Sequence, residues 1–296
     1  MSEQLIPANA ADTERDPSQR RLFARRAGSP LSQLGVLQYR SLIWNFGQRD
    51  LKARFKGTAA GWLWSLLLPL ASLATYSLLA HYVLRSGAPQ FGNGHKGNFA
   101  VWLFAGLTAW GFFSNGLNTA IGALLGAGPL IKKIFFPSYA PVFGSIIAVA
   151  IQSSIEFGLV LLTILLVGGG NIGWTWLMMP LWAAVYLAFV SSVSLIFAIA
   201  NIFFRDLAHL VSVFLQLLFY ATPVLYPDTR FGHGKAHLIL LANPLAQFVD
   251  LFRDLVYGLT PGRWTHWAYV LAWTAAALGL AYWVFKRHGL DLSEEL

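Results

Sequence analysis

Cysteine is absent from this chain of 296 residues, which excludes disulfides, thiolate metal sites and cysteine nucleophiles together. Charge is scarce as well. Asp, Glu, Lys and Arg make up 11% of the residues, against about a quarter in soluble domains, while hydrophobic residues reach 56%. So little charge cannot cover a water-facing surface, and the composition places the chain in a membrane. Acidic residues are the scarcer sign: 13 against 21 basic ones leave a net charge of +8. In a soluble protein that excess would suggest nucleic acid. Here the basic residues sit in short segments flanking apolar runs, which suits anionic lipid headgroups instead.

Catalytic signatures are missing too. There is no GxxxxGK[ST] phosphate loop, and GNGHKGN at 92–98 lacks its spacing. No GxSxG elbow occurs. The expectation is therefore a non-enzymatic chain with no metal and no cofactor of its own.

What is present is a series of apolar stretches. Six approach the ~20 residues needed to cross hydrocarbon, at 61–84, 99–124, 141–167, 176–200, 210–226 and 267–285. The fifth is the shortest and is broken by Pro223. Six crossings put both termini on one side, and with cytoplasmic termini 15 of the 21 Lys and Arg fall on inner segments, as the positive-inside rule requires. Residues 1–31 are polar, with Arg20, Arg21, Arg25 and Arg26 and no apolar core behind them, so they read as a cytoplasmic tail and not a cleaved signal. Residues 291–296 read as a second short tail.

The segment 32–60 is too charged to span. Leu34, Leu37, Ile43, Trp44, Phe46, Leu51 and Phe55 interleave with Arg40, Arg49, Lys52, Arg54 and Lys56. That pattern predicts an amphipathic helix in the cytoplasmic interface, the other reading being a plain juxtamembrane linker. Between the fifth and sixth spans, Asn243-Pro244 marks a helix start, and Leu245, Phe248, Val249, Phe252, Leu255 and Val256 follow at helical spacing. With the apolar run at 238–241 this suggests two short helices that dip into the outer leaflet and return, forming an outer gate with Asn243, Pro244, Phe248 and Phe252. An extracellular amphipathic helix fits the same residues.

Individual residues suggest roles. Glu156 is the one acid inside an apolar span. It reads either as a proton or cation site or as a structural acid bonded within the bundle, and no Lys or Arg lies within the spans to pair with it. The loop GPLIKKIFFPSYAP at 128–141 sets Lys132 and Lys133 beside Phe135 and Phe136, an apolar and basic knob suited to docking on a soluble partner. NIFFRDLAH at 201–209, with Arg205, is similar in character. Trp62 and Tyr76 on the first span, and Phe219 and Tyr220 on the fifth, put aromatic faces on two spans that are expected to line a conduit; membrane-interface belts use the same residue types. Arg49, Lys52, Arg54 and Lys56 are expected at the cytoplasmic headgroups, where Arg54 and Lys56 could hold a phosphate group of a ligand or simply anchor lipid.

Four segments, RDLKARFKGTAAGWLWSLLLPL at 49–70, GPLIKKIFFPSYAPVF at 128–143, NIFFRDLAHLVSVFLQLLFYATPVLYP at 201–227 and NPLAQFVDLFRDLVYG at 243–258, occur in one order. Together they resemble the membrane subunit of ABC transporters that export polysaccharides and polyol phosphates. The resemblance covers roughly residues 32–290. It implies an all-α integral membrane permease, 61–290, working as a homodimer in the bacterial cytoplasmic membrane with two copies of a separate ATPase that binds ATP and Mg. It also implies an interface helix, a coupling helix around Lys132, and re-entrant gate helices before the last span. The expected substrate is a lipid-linked glycan of O-antigen or galactan type; a teichoic-acid-type polymer, or proton-coupled secondary transport through Glu156, are the alternatives. If the knob seats on the ATPase, Phe135→Asp with Phe136→Asp abolishes export and weakens ATPase copurification while the permease stays folded; unchanged stimulation of ATP hydrolysis would refute it.

Overall fold

The computed structural model describes residues 39–57, 61–79, 82, 89–131, 137–226 and 242–288. The two polar tails, Lys132, Lys133, Phe135, Phe136 and the run at 238–241 lie outside them, as do the side chains of Trp62 and Tyr76. Every regular element among the described residues is helical. They are α1 (Arg40–Phe55), a 3-10 turn (Gly61–Leu63) leading into α2 (Trp64–Leu79), α3 (Phe99–Ile121), α4 (Ala123–Ile131), α5 (Tyr139–Val167), a second 3-10 turn (Trp174–Met178), α6 (Met179–Phe203), α7 (Leu207–Tyr220), α8 (Pro244–Val256) and α9 (Trp264–His288).

Among the described residues, three helical segments are long and apolar enough to cross a membrane: Tyr139–Val167, Trp174–Phe203 and Trp264–His288. α3 has the length, at 23 residues, but Thr108, Ser114, Asn115, Asn118 and Thr119 dilute its apolar character. The expected fifth span is a helix of only 14 residues ending at Tyr220. Its chain then turns through 221–226, because Pro223 has no N–H to continue the ladder.

α3 is the central helix. It packs most extensively on α5 and α6, and α6 packs equally closely on α9. An aromatic column fills the core: Trp182 stacks on Phe252 at 4.8 Å and Tyr186 on Phe248 at 4.4 Å, with Phe157 set edge-on to Trp182. The polar tips of this column are satisfied, as burial demands. Trp182 Nε1 donates to the Phe248 carbonyl (3.0 Å) and the Tyr186 hydroxyl to the Ala109 carbonyl (2.9 Å).

The bundle has two distinct ends. At one, Tyr139 meets Phe285 and Phe203 meets His288, close to the basic last turn of α9, Lys286, Arg287 and His288. At the other, the loops before α3 and after α5 and α8 are bonded together. Phe91 stacks on Tyr257, Gly92 N–H donates to the Tyr257 carbonyl, and Asn93 donates through its backbone N–H to Asn171 Oδ1 and through Nδ2 to the Gly168 carbonyl.

α1 lies against α5 near the first end. Ile43, Phe46, Gly47, Asp50, Leu51 and Arg54 fall on one helical stripe, and Ile43, Phe46 and Leu51 are buried. Trp44, Arg49, Lys52 and Lys56 are exposed. The amphipathicity expected from sequence is thus mixed, with two charged residues on the packed face and a tryptophan on the open one. Ser145 Oγ donates to Asp50 Oδ2 at 2.5 Å. The helices can approach this closely because glycines meet: a β-carbon on Gly144 would stand 2.4 Å from Phe46 Cβ, whereas one on Gly158 of the same helix would meet nothing within 4 Å. Gly144→Ala should therefore destabilise the protein by about 1–3 kcal/mol, the usual penalty for overpacking, and Gly158→Ala should be neutral or slightly stabilising. Melting of the detergent-solubilised protein, followed by fluorescence-detected gel filtration, checks both.

Candidate functional site

Two features distinguish the described bundle from a set of apolar helices packed for stability. The first is a line of polar side chains along α3. Thr108, Asn115 and Thr119 recur at spacings of seven and four, on one face of the helix, with Asn118 at its margin. Asn115 and Asn118 are exposed, and so are Ser212 and Gln216 on the neighbouring α7. Ser212 Oγ donates to Asn118 Oδ1 at 3.4 Å, so the stripes of the two helices adjoin.

Beside this stripe, α2, α3, α5 and the end of α1 border an open cavity of about 390 Å³. α2 contributes Leu68, Pro69 and Ser72, and α3 contributes Phe104, Leu107, Thr108 and Asn115. Gln152 and Glu156, one turn apart on α5, face Arg54 from α1. The guanidinium of Arg54 donates from Nη1 to Gln152 Oε1 (2.9 Å) and from Nη2 to Thr119 Oγ1 (3.0 Å). Burial lowers the pKa of Arg54 from its ordinary value, and the carboxylates of Asp50 and Glu156 oppose that shift. Arg54 is thus turned into the bundle, while Arg49, Lys52 and Lys56 remain exposed. A cation from α1, outside the apolar stretches, shares the cavity with Glu156.

The second feature is Arg253. Its position in a polar-looking segment suggests an outer-loop charge, yet it is only 5% exposed. Nε donates to the Trp102 carbonyl (3.2 Å), Nη1 to Pro223 (2.8 Å) and Nη2 to Val224 (2.7 Å). The guanidinium also lies 3.5 Å from the centre of the Trp102 ring, with Asp250 at 3.8 Å. Gly106 makes room for it, since a β-carbon there would stand 2.0 Å from Nη2. One side chain therefore joins α3, the turn after α7, and α8.

The ends of α8 are fastened as completely. Asn243 Oδ1 accepts from Leu245 N–H, and its Nδ2 donates to Thr222 Oγ1 and the Ala221 carbonyl. At the other end Thr175 donates to the Leu255 carbonyl, Asn171 to those of Val256 and Tyr257, and Trp176 Nε1 to Val256. Pro244 occupies the first helical turn, where a missing N–H costs nothing. Phe248 and Phe252 are fully buried in the aromatic column.

The other residues singled out from sequence are scattered. Phe219 packs on Trp110 with ring centres 5.5 Å apart, while Tyr220 beside it is 65% exposed. Arg205 is exposed in the turn between α6 and α7. Sequence reasoning passed over Asn115, Asn118, Thr119 and Arg253. The first three could have been found from the polar period within the second apolar stretch; Arg253 carried no local signal.

Residues 41–257 match the family described as ABC-2 type transporter. The chain is 33% identical over 226 residues to the O-antigen export system permease protein RfbA of Myxococcus xanthus, covering 75% of this chain and 82% of that one. It is 30% identical to an RfbA of Klebsiella pneumoniae, covering 70% and 76% respectively. The polysialic acid transport protein KpsM of Escherichia coli is similar at 24% identity over 70% of this chain and 78% of its own length.

Replacing Arg253 takes its donors from the buried Pro223 and Val224 carbonyls, at about 1–3 kcal/mol each. Arg253→Met should therefore leave little folded permease in the membrane. Arg253→Lys, a point donor without the fork, should recover only part of it. Folded yield by fluorescence-detected gel filtration measures both.

Proposed function

The chain belongs to the ABC-2 type transporter family, and from that premise we propose that it is the membrane permease of an ATP-driven exporter of a cell-surface polysaccharide of O-antigen type. The observation that carries this is the exposed stripe of Asn115, Asn118, Ser212 and Gln216 within helices otherwise built of apolar residues. Polar side chains in a spanning bundle face water or protein and not lipid. A row of amides and hydroxyls suits a polymer of hydroxyls, because neutral hydrogen bonds can be exchanged from one sugar to the next without a charged group being held fast.

The finer reading follows from the family and the chemistry. A separate ATPase, in two copies, binds ATP and Mg and drives the cycle. A second copy of this permease closes the conduit, with α2 and α7 as its facing walls and Trp62, Tyr76 and Tyr220 as sliding surfaces. The substrate is carried on a lipid. The basic end of the bundle, with Arg205 and the last turn of α9, is cytoplasmic in the inner membrane; Lys132, Lys133, Phe135 and Phe136 join Arg205 in coupling to the ATPase. Arg49, Lys52 and Lys56 stand at the headgroups. α8, at 13 residues, is too short to cross, and the protein partners at both its ends support the reading of a re-entrant outer helix, since such backbone is tolerated only where protein or a water-filled cavity covers it. A teichoic-acid-type polymer would use the same machine. Secondary transport centred on Glu156 would instead require a proton gradient and no nucleotide.

The reading is tested in two steps. Export of lipid-linked glycan from reconstituted vesicles should require ATP and the copurifying ATPase, and should stop when that ATPase's nucleotide site is disabled. The absence of native cysteine then allows single reporters. Charged thiosulfonate reagents should modify Asn115→Cys, Gln216→Cys and Tyr220→Cys faster than Leu280→Cys on α9 by roughly a hundredfold, the penalty of ~2.5–3.5 kcal/mol for taking charge into hydrocarbon. Equal rates at all four positions, or transport that runs on a proton gradient alone, would overturn it.

A further inference from the structure

The cavity between α2, α3 and α5 opens beside the polar stripe and shares Thr108 and Asn115 with it. At about 390 Å³ it falls within the range of small-molecule sites. Its walls are of two kinds. Leu68, Pro69, Phe104 and Leu107 are apolar; Asn115, Gln152 and Glu156 offer hydrogen-bonding groups. That division suits a pyranose, whose ring has C–H faces and a hydroxyl rim.

The sign of the ligand follows from Arg54. Its Nη1 and Nη2 each donate one N–H, to Gln152 and Thr119, and the Glu156 carboxylate shares its cavity and acts on its charge. A phosphate entering here would find the charge of Arg54 already offset and would meet a carboxylate, which repels it. A neutral polyol meets neither obstacle. It can donate to Glu156 in a charge-assisted bond, stronger than a neutral one, and can trade bonds with the amides of Asn115 and Gln152.

We propose that this cavity is a carbohydrate subsite that holds one or two uncharged pyranose units of the passing glycan against its apolar wall at Leu68 and Leu107, with Glu156, Gln152 and Asn115 on their hydroxyls and Arg54 positioning Gln152. The proposal rests on the reading of the chain as a polysaccharide permease and adds to it a place where the polymer pauses and the charge it must have there.

The probe is the cell's own glycan. Ser72→Cys reports on the cavity and Ser212→Cys on the stripe outside it. Each is alkylated by N-ethylmaleimide in cells whose ATPase partner is arrested, with synthesis of the lipid-linked glycan either running or blocked. The glycan should protect both cysteines. In the Ser72→Cys background, Gln152→Leu and Glu156→Gln should each reduce protection about tenfold, the scale of one lost charge-assisted bond, while protection at Ser212→Cys persists. Protection at Ser212→Cys alone would overturn the subsite and leave the conduit standing; protection at neither would overturn the conduit itself. If Glu156→Gln increases protection at Ser72→Cys, the cavity takes an anion and the proposal fails. Loss of protection at both positions in Gln152→Leu or Glu156→Gln would mark a role in the fold and overturn it equally.

Discussion

A peptide carbonyl buried in a lipid-covered bundle has no water to turn to, and a helix that stops short of the far side exposes four of them at its end. α7 stops at Tyr220 and α8 is only 13 residues long, so this chain carries interrupted backbone inside its bundle. Arg253 answers that constraint. Its planar fork reaches Pro223 and Val224 on one side and Trp102 on the other, a geometry a lysine cannot reproduce. The carbonyls at the end of α8 are met in turn by Asn171, Thr175 and Trp176 from the loop after α5. The two breaks in helical structure are thereby one fastened unit, and the aromatic column of Trp182, Tyr186, Phe248 and Phe252 packs beneath it.

The same logic governs α1. Its packed face carries Asp50 and Arg54 as well as Ile43, Phe46 and Leu51. Apolar burial and polar bonds to Ser145, Gln152 and Thr119 act together, and the Gly47–Gly144 approach brings the backbones close enough for short side chains to reach. A helix attached at three successive turns to α5 and α3 shifts with them or not at all. A displacement of α1 would be delivered through Arg54 to Gln152, and so to the wall of the cavity.

Exposed surface divides by chemistry. α5, α6 and α9 present Leu162, Leu166, Leu181, Leu271, Leu278 and Leu280, a surface matched to acyl chains. α2 and α7 mix exposed Leu67, Leu68, Val213 and Leu217 with Ser72, Ser212 and Gln216, a combination that fits neither lipid nor water alone. A wall of that kind is complete only when something partly polar lies against it, which is the physical ground for expecting a second copy and a polyol there.

The amino-acid order by itself determined that the chain is helical and membrane-embedded, where most of its helices run, that Asn243-Pro244 starts one of them, and to which family it belongs, because composition, helical period and capping are local properties. It also placed the interruption at Pro223, whose missing N–H acts within one turn. Only the tertiary structure decided where the charges go. Arg54 and Arg253 each sit beside other charged residues, Lys52 and Asp254 among them, and nothing local marks either as buried. Arg54 becomes a strut because Gln152, 98 residues away, arrives within 3 Å. Arg253 becomes a clamp because Trp102, 151 residues away, and the turn at Pro223 converge on it. Whether a long cationic side chain ends in water or in the core is settled by the carbonyls and carboxylates that folding brings to it, and those partners are distant in sequence.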